Sequence, residues 1–271
     1  MTLPTYHPSD DPGPNFAALA RQYGLVPTAP DSAVDARLDI LQGTTVVAVR
    51  YADGVIMAGD RRATSGNWIS HHGIKKVFEA DRHSGVAIAG AAGPAIEMVK
   101  LFQLQLEHYE KVEGESLSLE GKANQLGLMV RGNLPAAMQG LAVVPLFAGY
   151  DRRRELGRLF QYDITGGRYE ETDYATSGSG SLHAGTVIKL GYIEAMSRDD
   201  ATDLAIESLW QAADEDSATG GPDPIRRIFP IVATITTDGF TELGETEISE
   251  RFDGLVERML ERRPDRVGGD A

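Results

Sequence analysis

No cysteine occurs in the chain, which removes disulfides, thiolate-bound metals and a thiol nucleophile together. Positive charge is scarce too: 26 Lys and Arg stand against 40 Asp and Glu, a net charge of −14. A surface of that sign repels nucleic acid and anionic membranes, so neither is expected as a partner. No apolar run approaches the roughly 18 residues of a membrane helix. The first residues carry neither the basic n-region nor the apolar h-region of a secretory signal, and a cytoplasmic protein is expected. The six histidines (His7, His71, His72, His83, His108, His183) show no ligand spacing, so no metal or other cofactor is expected. What remains is an apolar content of 42% over 271 residues, ample for one packed domain with an appendage.

That appendage is visible in the composition. Residues 1–43 hold six of the 13 prolines (Pro4, Pro8, Pro12, Pro14, Pro27, Pro30) among Asp and Ser, with a single short helix expected over 16–25. This pattern reads as a mobile leader. Its end coincides with the stretch around which the rest is organised. Gly43-Thr44-Thr45 opens a run of Thr and Val through Arg50, and Asp53-Gly54 leads into a second apolar run ending at Gly59-Asp60-Arg61-Arg62-Ala63-Thr64. Two such runs around an Asp-Gly pair predict a β-hairpin.

Gly43 offers a backbone bond with no side chain to block an unusual conformation. Attack on that bond by a hydroxyl would leave Thr44 as a new N-terminus, with a hydroxyl and a free α-amine in one residue. A nucleophile and its base would then lie together. A peptide nitrogen is not basic, whereas a free α-amine has a pKa near 8, so cleavage is what creates this base.

Downstream, strands are expected over residues 68–70 and 76–80, a turn at 81–85, and a strand from 86 into the small-residue bend at 93. Pro94 suits a helix start, and apolar residues from Ile96 to Leu106 support a long amphipathic helix. A second helix is expected over 116–138, strands over 143–150 and 159–163, and a turn at Gly166-Gly167. Helices over 182–195 and 198–213, a strand over 229–237, a turn at Asp238-Gly239 and a terminal helix over 247–261 complete the pattern. The order of strands, paired helices, strands, paired helices and strands suggests sheets sandwiched between helical layers.

Asp60 and Lys76 follow Thr44 by 16 and 32 positions. At this point the sequence resembles the proteasome β-subunit family of N-terminal-nucleophile hydrolases, in its bacterial, actinobacterial form. The resemblance rests on Gly43-Thr44-Thr45, on Gly59 to Thr64, and on Lys75-Lys76-Val77. It continues through Ile88-Ala89-Gly90-Ala91-Ala92-Gly93, Ser177-Gly178-Ser179-Gly180-Ser181 and Asp216-Ser217-Ala218-Thr219-Gly220-Gly221, and covers nearly everything from Thr44 to the final helix. It implies an α+β fold, a four-layer αββα sandwich of two antiparallel sheets. It also implies a propeptide over residues 1–43, cut at Gly43–Thr44, and a mature domain over 44–271.

The implied activity is that of a threonine endopeptidase. Stacked seven-membered rings with α and other β subunits would enclose it, and a ring-shaped ATPase would feed it unfolded polypeptide. Its catalytic residues would be Thr44, Asp60, Lys76, Ser179, Asp216 and Thr219, with the Gly90 N–H in the oxyanion site. By family position, Ala63, Thr64, Ile74, Phe78, Ile88, Ala92 and Ile96 would contact substrate; all but Thr64 would line the primary specificity pocket, and the apolar character of those six implies cleavage after hydrophobic residues. The family more often has serine at the Thr219 position.

The residues permit blander assignments as well. Asp60 and Asp216 could serve surface pairing and a helix end, and Lys75 and Lys76 could both be solvated. Only one of the two lysines can point inward on a strand, and the family pattern selects Lys76. With Asp53-Gly54 as a two-residue turn, Asp60 falls opposite Val47, on the face away from Thr44. A bulge, or the bridge through Lys76 that the family implies, must then join them. The Ser-Gly run lacks Gly-Lys-Ser/Thr and is not Gly-x-Gly-x-x-Gly, so a turn is expected there and not a nucleotide site. Both the freed amine and Lys76 are open as proton acceptors. An inert scaffold subunit and a two-ring, ATPase-partnered relative of the same superfamily are the alternatives; the Arg61-Arg62 pair after Gly-Asp argues against the second.

Overall fold

The computed structural model describes residues 43–261. The leader up to residue 42, with the short helix expected over 16–25, lies outside the described residues.

Two five-stranded antiparallel sheets dominate. The first has the order β10-β1-β2-β11-β12, built from β1 (Thr45–Tyr51), β2 (Gly54–Gly59), β10 (Tyr174–Gly178), β11 (Ile231–Thr236) and β12 (Gly239–Glu242). The second has the order β5-β6-β7-β8-β9, from β5 (Val77–Asp81), β6 (Ser84–Gly90), β7 (Val143–Asp151), β8 (Leu156–Tyr162) and β9 (Arg168–Glu171). A separate two-stranded hairpin joins β3 (Ala63–Ser65) and β4 (Trp68–His71). The helices are α1 (Ala92–Glu113), α2 (Leu119–Gly132), the single turn α3 (Leu134–Ala137), α4 (Ser181–Gly191), α5 (Arg198–Glu215) and α6 (Glu245–Glu261).

Three hydrophobic clusters establish four layers. Val46, Ala48, Val55 and Met57 meet Leu146, Ala148 and Leu159 between the sheets. The opposite faces of the same strands, Val47, Val49, Ile56 and Ala58, pack on Ile188, Leu209 and Phe252 of α4, α5 and α6. Val86, Phe147 and Phe160 pack on Val99, Phe102 and Leu126 of α1 and α2. Alternate residues of β1 and β2 thus enter different cores, which is why both strands read as unbroken apolar runs rather than alternating ones. Each fully buried Val, Leu, Ile or Phe contributes about 1.5–3 kcal/mol relative to exposure.

Local signals place several boundaries. The Gly114 N–H, at φ 77°, donates to Glu110 O and closes α1. The Ser118 and Ser197 hydroxyls accept from Gly121 N and Asp200 N at the starts of α2 and α5. The helix expected over 116–138 breaks at Asn133, because Pro135 supplies no N–H for the ladder and instead sits in the first turn of α3. Helix α1 starts at Ala92, ahead of Pro94, so the strand before it ends at Gly90.

One expectation needs correction. β1 and β2 pair with Tyr51 opposite Gly54, so Ala52-Asp53 forms the turn and Gly54 belongs to β2. The pairing shifts by two residues, and Asp60 lies beside Thr45 rather than Val47: Asp60 N donates to Thr45 O at 3.1 Å. The parity is unchanged, so Asp60 still lies off the face of Thr44. Strands β9 and β10 are additional to the expected elements, which left residues 168–176 unassigned between two turns. β10 pairs with β1 from Thr45 opposite Gly178 onward and brings Ser179 to the start of β1.

Candidate active site

Thr44 directly precedes β1 and is buried. Its carbonyl accepts from Ser179 N at 2.9 Å. Two glycines allow this close passage. A Cβ on Gly178, at φ +104°, would lie 1.7 Å from Thr44 O, and a Cβ on Gly43 would lie 1.7 Å from the Ala218 Cβ. Gly43 N donates to the Thr64 hydroxyl at 3.0 Å.

On one side lies a buried ion pair. The Asp60 side chain is 0% exposed and Lys76 3% exposed, with Nζ 2.7 Å from Oδ1. Oδ1 also accepts from Thr45 N (2.8 Å), and Oδ2 accepts from Arg62 N (2.9 Å) and Gly220 N (2.8 Å). This supply of donors makes a buried carboxylate tolerable. Lys76 Nζ makes a second bond, of 2.5 Å, to Arg62 O. Burial pushes the Lys76 ammonium below the ordinary lysine range, against the opposing pull of Asp60. Lys75 points elsewhere, pairing with Glu242 in a half-exposed bridge.

On the other side, Asp216 caps the end of α5. Its Oδ2 accepts from Ser179 Oγ and Thr219 Oγ1, both at 2.5 Å, and its Oδ1 accepts from Ala218 N at 3.1 Å. Burial alone would raise this carboxyl; the two hydroxyls and the N–H outweigh it and hold Asp216 below the usual carboxylate range. Thr219 Oγ1 in turn lies 2.5 Å from Thr45 Oγ1, which accepts from Gly180 N at 3.0 Å.

Gly43, Thr44, Lys76 and Gly90 line one small pocket with Ala63, Ile74, Ile88 and Ala92. Gly90 has φ +107°, and a Cβ there would lie 2.1 Å from Ala142 O. Four of the seven substrate-contact candidates therefore share the pocket with Thr44. Thr64 holds Gly43 instead, while Phe78 and Ile96 pack against the α1–α2 core. Four participants were not singled out from sequence: Thr45, the Gly180 and Gly220 N–H groups, and Arg62, whose backbone serves both members of the ion pair. The Gly-Thr-Thr motif pointed at Thr45 without giving it a partner.

Such a nucleophile candidate at the head of an inner strand, in a four-layer αββα sandwich, defines the class: this is the N-terminal-nucleophile hydrolase fold. Comparison with known proteins narrows it. A family model described as "Proteasome subunit" matches residues 40–225. "Proteasome subunit beta" of Acidimicrobium ferrooxidans is 53% identical over 264 residues, covering 97% of this chain and 96% of the relative. The protein of the same description from Streptomyces griseus is 59% identical over 220 residues (81% and 78%), and that from Jonesia denitrificans 50% over 248 residues (90% and 82%). The chain belongs to the proteasome subunit family.

Proposed function

We propose that this chain is a β-type protease subunit of a proteasome core, with Thr44 as its nucleophile after cleavage of Gly43–Thr44. The observation that carries this reading is the placement of Thr44, Lys76, Gly43 and Gly90 around one pocket, with Asp60 behind Lys76. The Thr44 hydroxyl attacks the Gly43 carbonyl; a C–O bond forms and the C–N bond breaks, giving an ester and a free Thr44 amine. Water then hydrolyses the ester and releases residues 1–43, leaving residues 44–271.

The same hydroxyl next attacks a substrate carbonyl, and water resolves the acyl-enzyme. Asp60 orients Lys76, whose charge favours the ionised threonine oxygen. The Gly90 N–H is the donor for the developing oxyanion, a role worth a few kcal/mol. Ser179, Asp216 and Thr219 orient the new amine. The apolar walls Ala63, Ile74, Ile88 and Ala92 favour a hydrophobic residue before the cleaved bond, by about 1–3 kcal/mol. Further β and α subunits in stacked rings, an ATPase activator, polypeptide substrate and a cytoplasmic setting complete the reading. Among the described residues no helix is long and apolar enough to cross a membrane.

Intact mass of the chain co-expressed with an α-type partner tests this directly. A product beginning at Thr44 is expected; full-length mass in assembled, peptidase-active particles would overturn the mechanism.

A further inference from the structure

Thr45 is completely buried, and it bonds to both branches of the site. Its N–H donates to Asp60 Oδ1, and its Oγ1 sits 2.5 Å from Thr219 Oγ1 while accepting from Gly180 N. The protons of this cluster can be counted. Asp216 Oδ2 accepts from both Ser179 and Thr219, since an ionised carboxylate has no proton to give. The single hydroxyl proton of Thr219 is thereby committed. The contact between the two threonine hydroxyls still requires a proton, and that of Thr45 supplies it. The chain therefore runs from Thr45 to Thr219 to Asp216, with Ser179 donating to the same oxygen from the other end.

Thr45 is well held for this task. Its backbone is pinned to Asp60 through both N–H and C=O, and a β-branched side chain has few χ1 choices. Resting on the reading of Thr44 as nucleophile, we propose that Thr45 is a positioning residue for the reaction. Its hydroxyl fixes the direction of the hydrogen-bond chain that ends on Asp216 and so keeps the Ser179 hydroxyl aimed at that carboxylate, beside Thr44. Donation into Thr219 polarises its hydroxyl and strengthens the next bond along. Asp216 can take a proton on Oδ2 only by displacing one of its two hydroxyl donors, and a Thr219 held by the Thr45 donor disfavours that exchange. The charges of His183 and Lys76 also act on Asp216 and are left in place by substitution at Thr45.

The test compares Thr45→Val, which keeps the shape and deletes the hydroxyl, with Thr45→Ser, which restores it. Processed particles are assayed on a fluorogenic peptide across pH, beside wild type and Thr44→Ala. Expected for Thr45→Val is a kcat lower by about tenfold or more with KM within about twofold, and an acid limb of kcat moved to higher pH. Thr45→Ser should recover both. If the valine variant fails to assemble or process, Thr45→Ala carries the same comparison with a side chain that cannot clash. An unchanged kcat and acid limb would overturn the proposal, as would a loss that serine does not rescue. Thr44→Ala as active as wild type would instead overturn the threonine-nucleophile reading itself.

Discussion

The two sides of Thr44 are built from different materials. On the Asp60 side, a carboxylate and an ammonium sit wholly inside the protein, and three backbone N–H groups share the carboxylate. Backbone donors cannot rotate away, so this side is a fixed electrostatic frame. On the Asp216 side, the carboxylate lies at the end of α5 and is held mainly by hydroxyls, each of which can turn. A fixed frame suits stabilisation of charge that develops at one place. A chain of rotors, once its direction is set at the Thr45 end, suits holding the groups around Thr44 in one orientation. On the proposed reading of Thr44 as nucleophile, the contrast gives its two carboxylates different tasks.

The predictions probe that contrast, beginning with what both sides serve. Thr44→Ala should abolish peptidase activity, by at least about 10⁴-fold, and leave the chain full length by mass spectrometry. Lys76→Met removes the only side-chain cation on Asp60 among the described residues. Activity should fall by about 10³-fold, and denaturant unfolding should show a loss of about 3–5 kcal/mol from the stranded carboxylate. Adding Asp60→Asn should recover part of that stability and none of the activity; purely additive losses would break the idea of a coupled frame.

Gly43→Val should slow processing by more than about tenfold, because its Cβ has no room beside Ala218. Asp216→Asn, on the rotor side, should cost less, about tenfold to a hundredfold in kcat. The pH dependence of stability separates the sides further. Asp216 has a depressed pKa, so its stabilisation is present above the ordinary carboxylate value near 3.9 and is lost as pH falls through the folded value. Lys76 is a base with a lowered pKa, so the unfolded chain binds its proton more tightly, and stability gains as pH rises toward about 10.4. Melting curves of wild type against Asp216→Asn and Lys76→Met should show the two effects at opposite ends of the scale.

The sandwich was legible in the sequence because its central strands and amphipathic helices are long apolar signals. Strands β9 and β10 were not, being four and five residues long and largely polar. Their strand character comes from pairing with β8 and β1 rather than from their own composition. At the site, Thr44, Asp60 and Lys76 were legible through spacing and resemblance. Thr45 was not, because its hydroxyl meets Thr219 across 174 residues of chain, a contact that no local pattern encodes.

The hairpin register shows what the polar cluster contributes to folding. Sliding β2 by two residues along β1 leaves every side chain on its own face, so the apolar pattern of the strands does not by itself exclude it. Oil alone cannot tell the two apart. The turn at Ala52-Asp53 and the pairing of β2 with β11 favour one of them, and at the open end of the hairpin Asp60 adds bonds to the Thr45 backbone in that same alignment. The groups assigned to chemistry thus also serve as one index mark by which the strands are set.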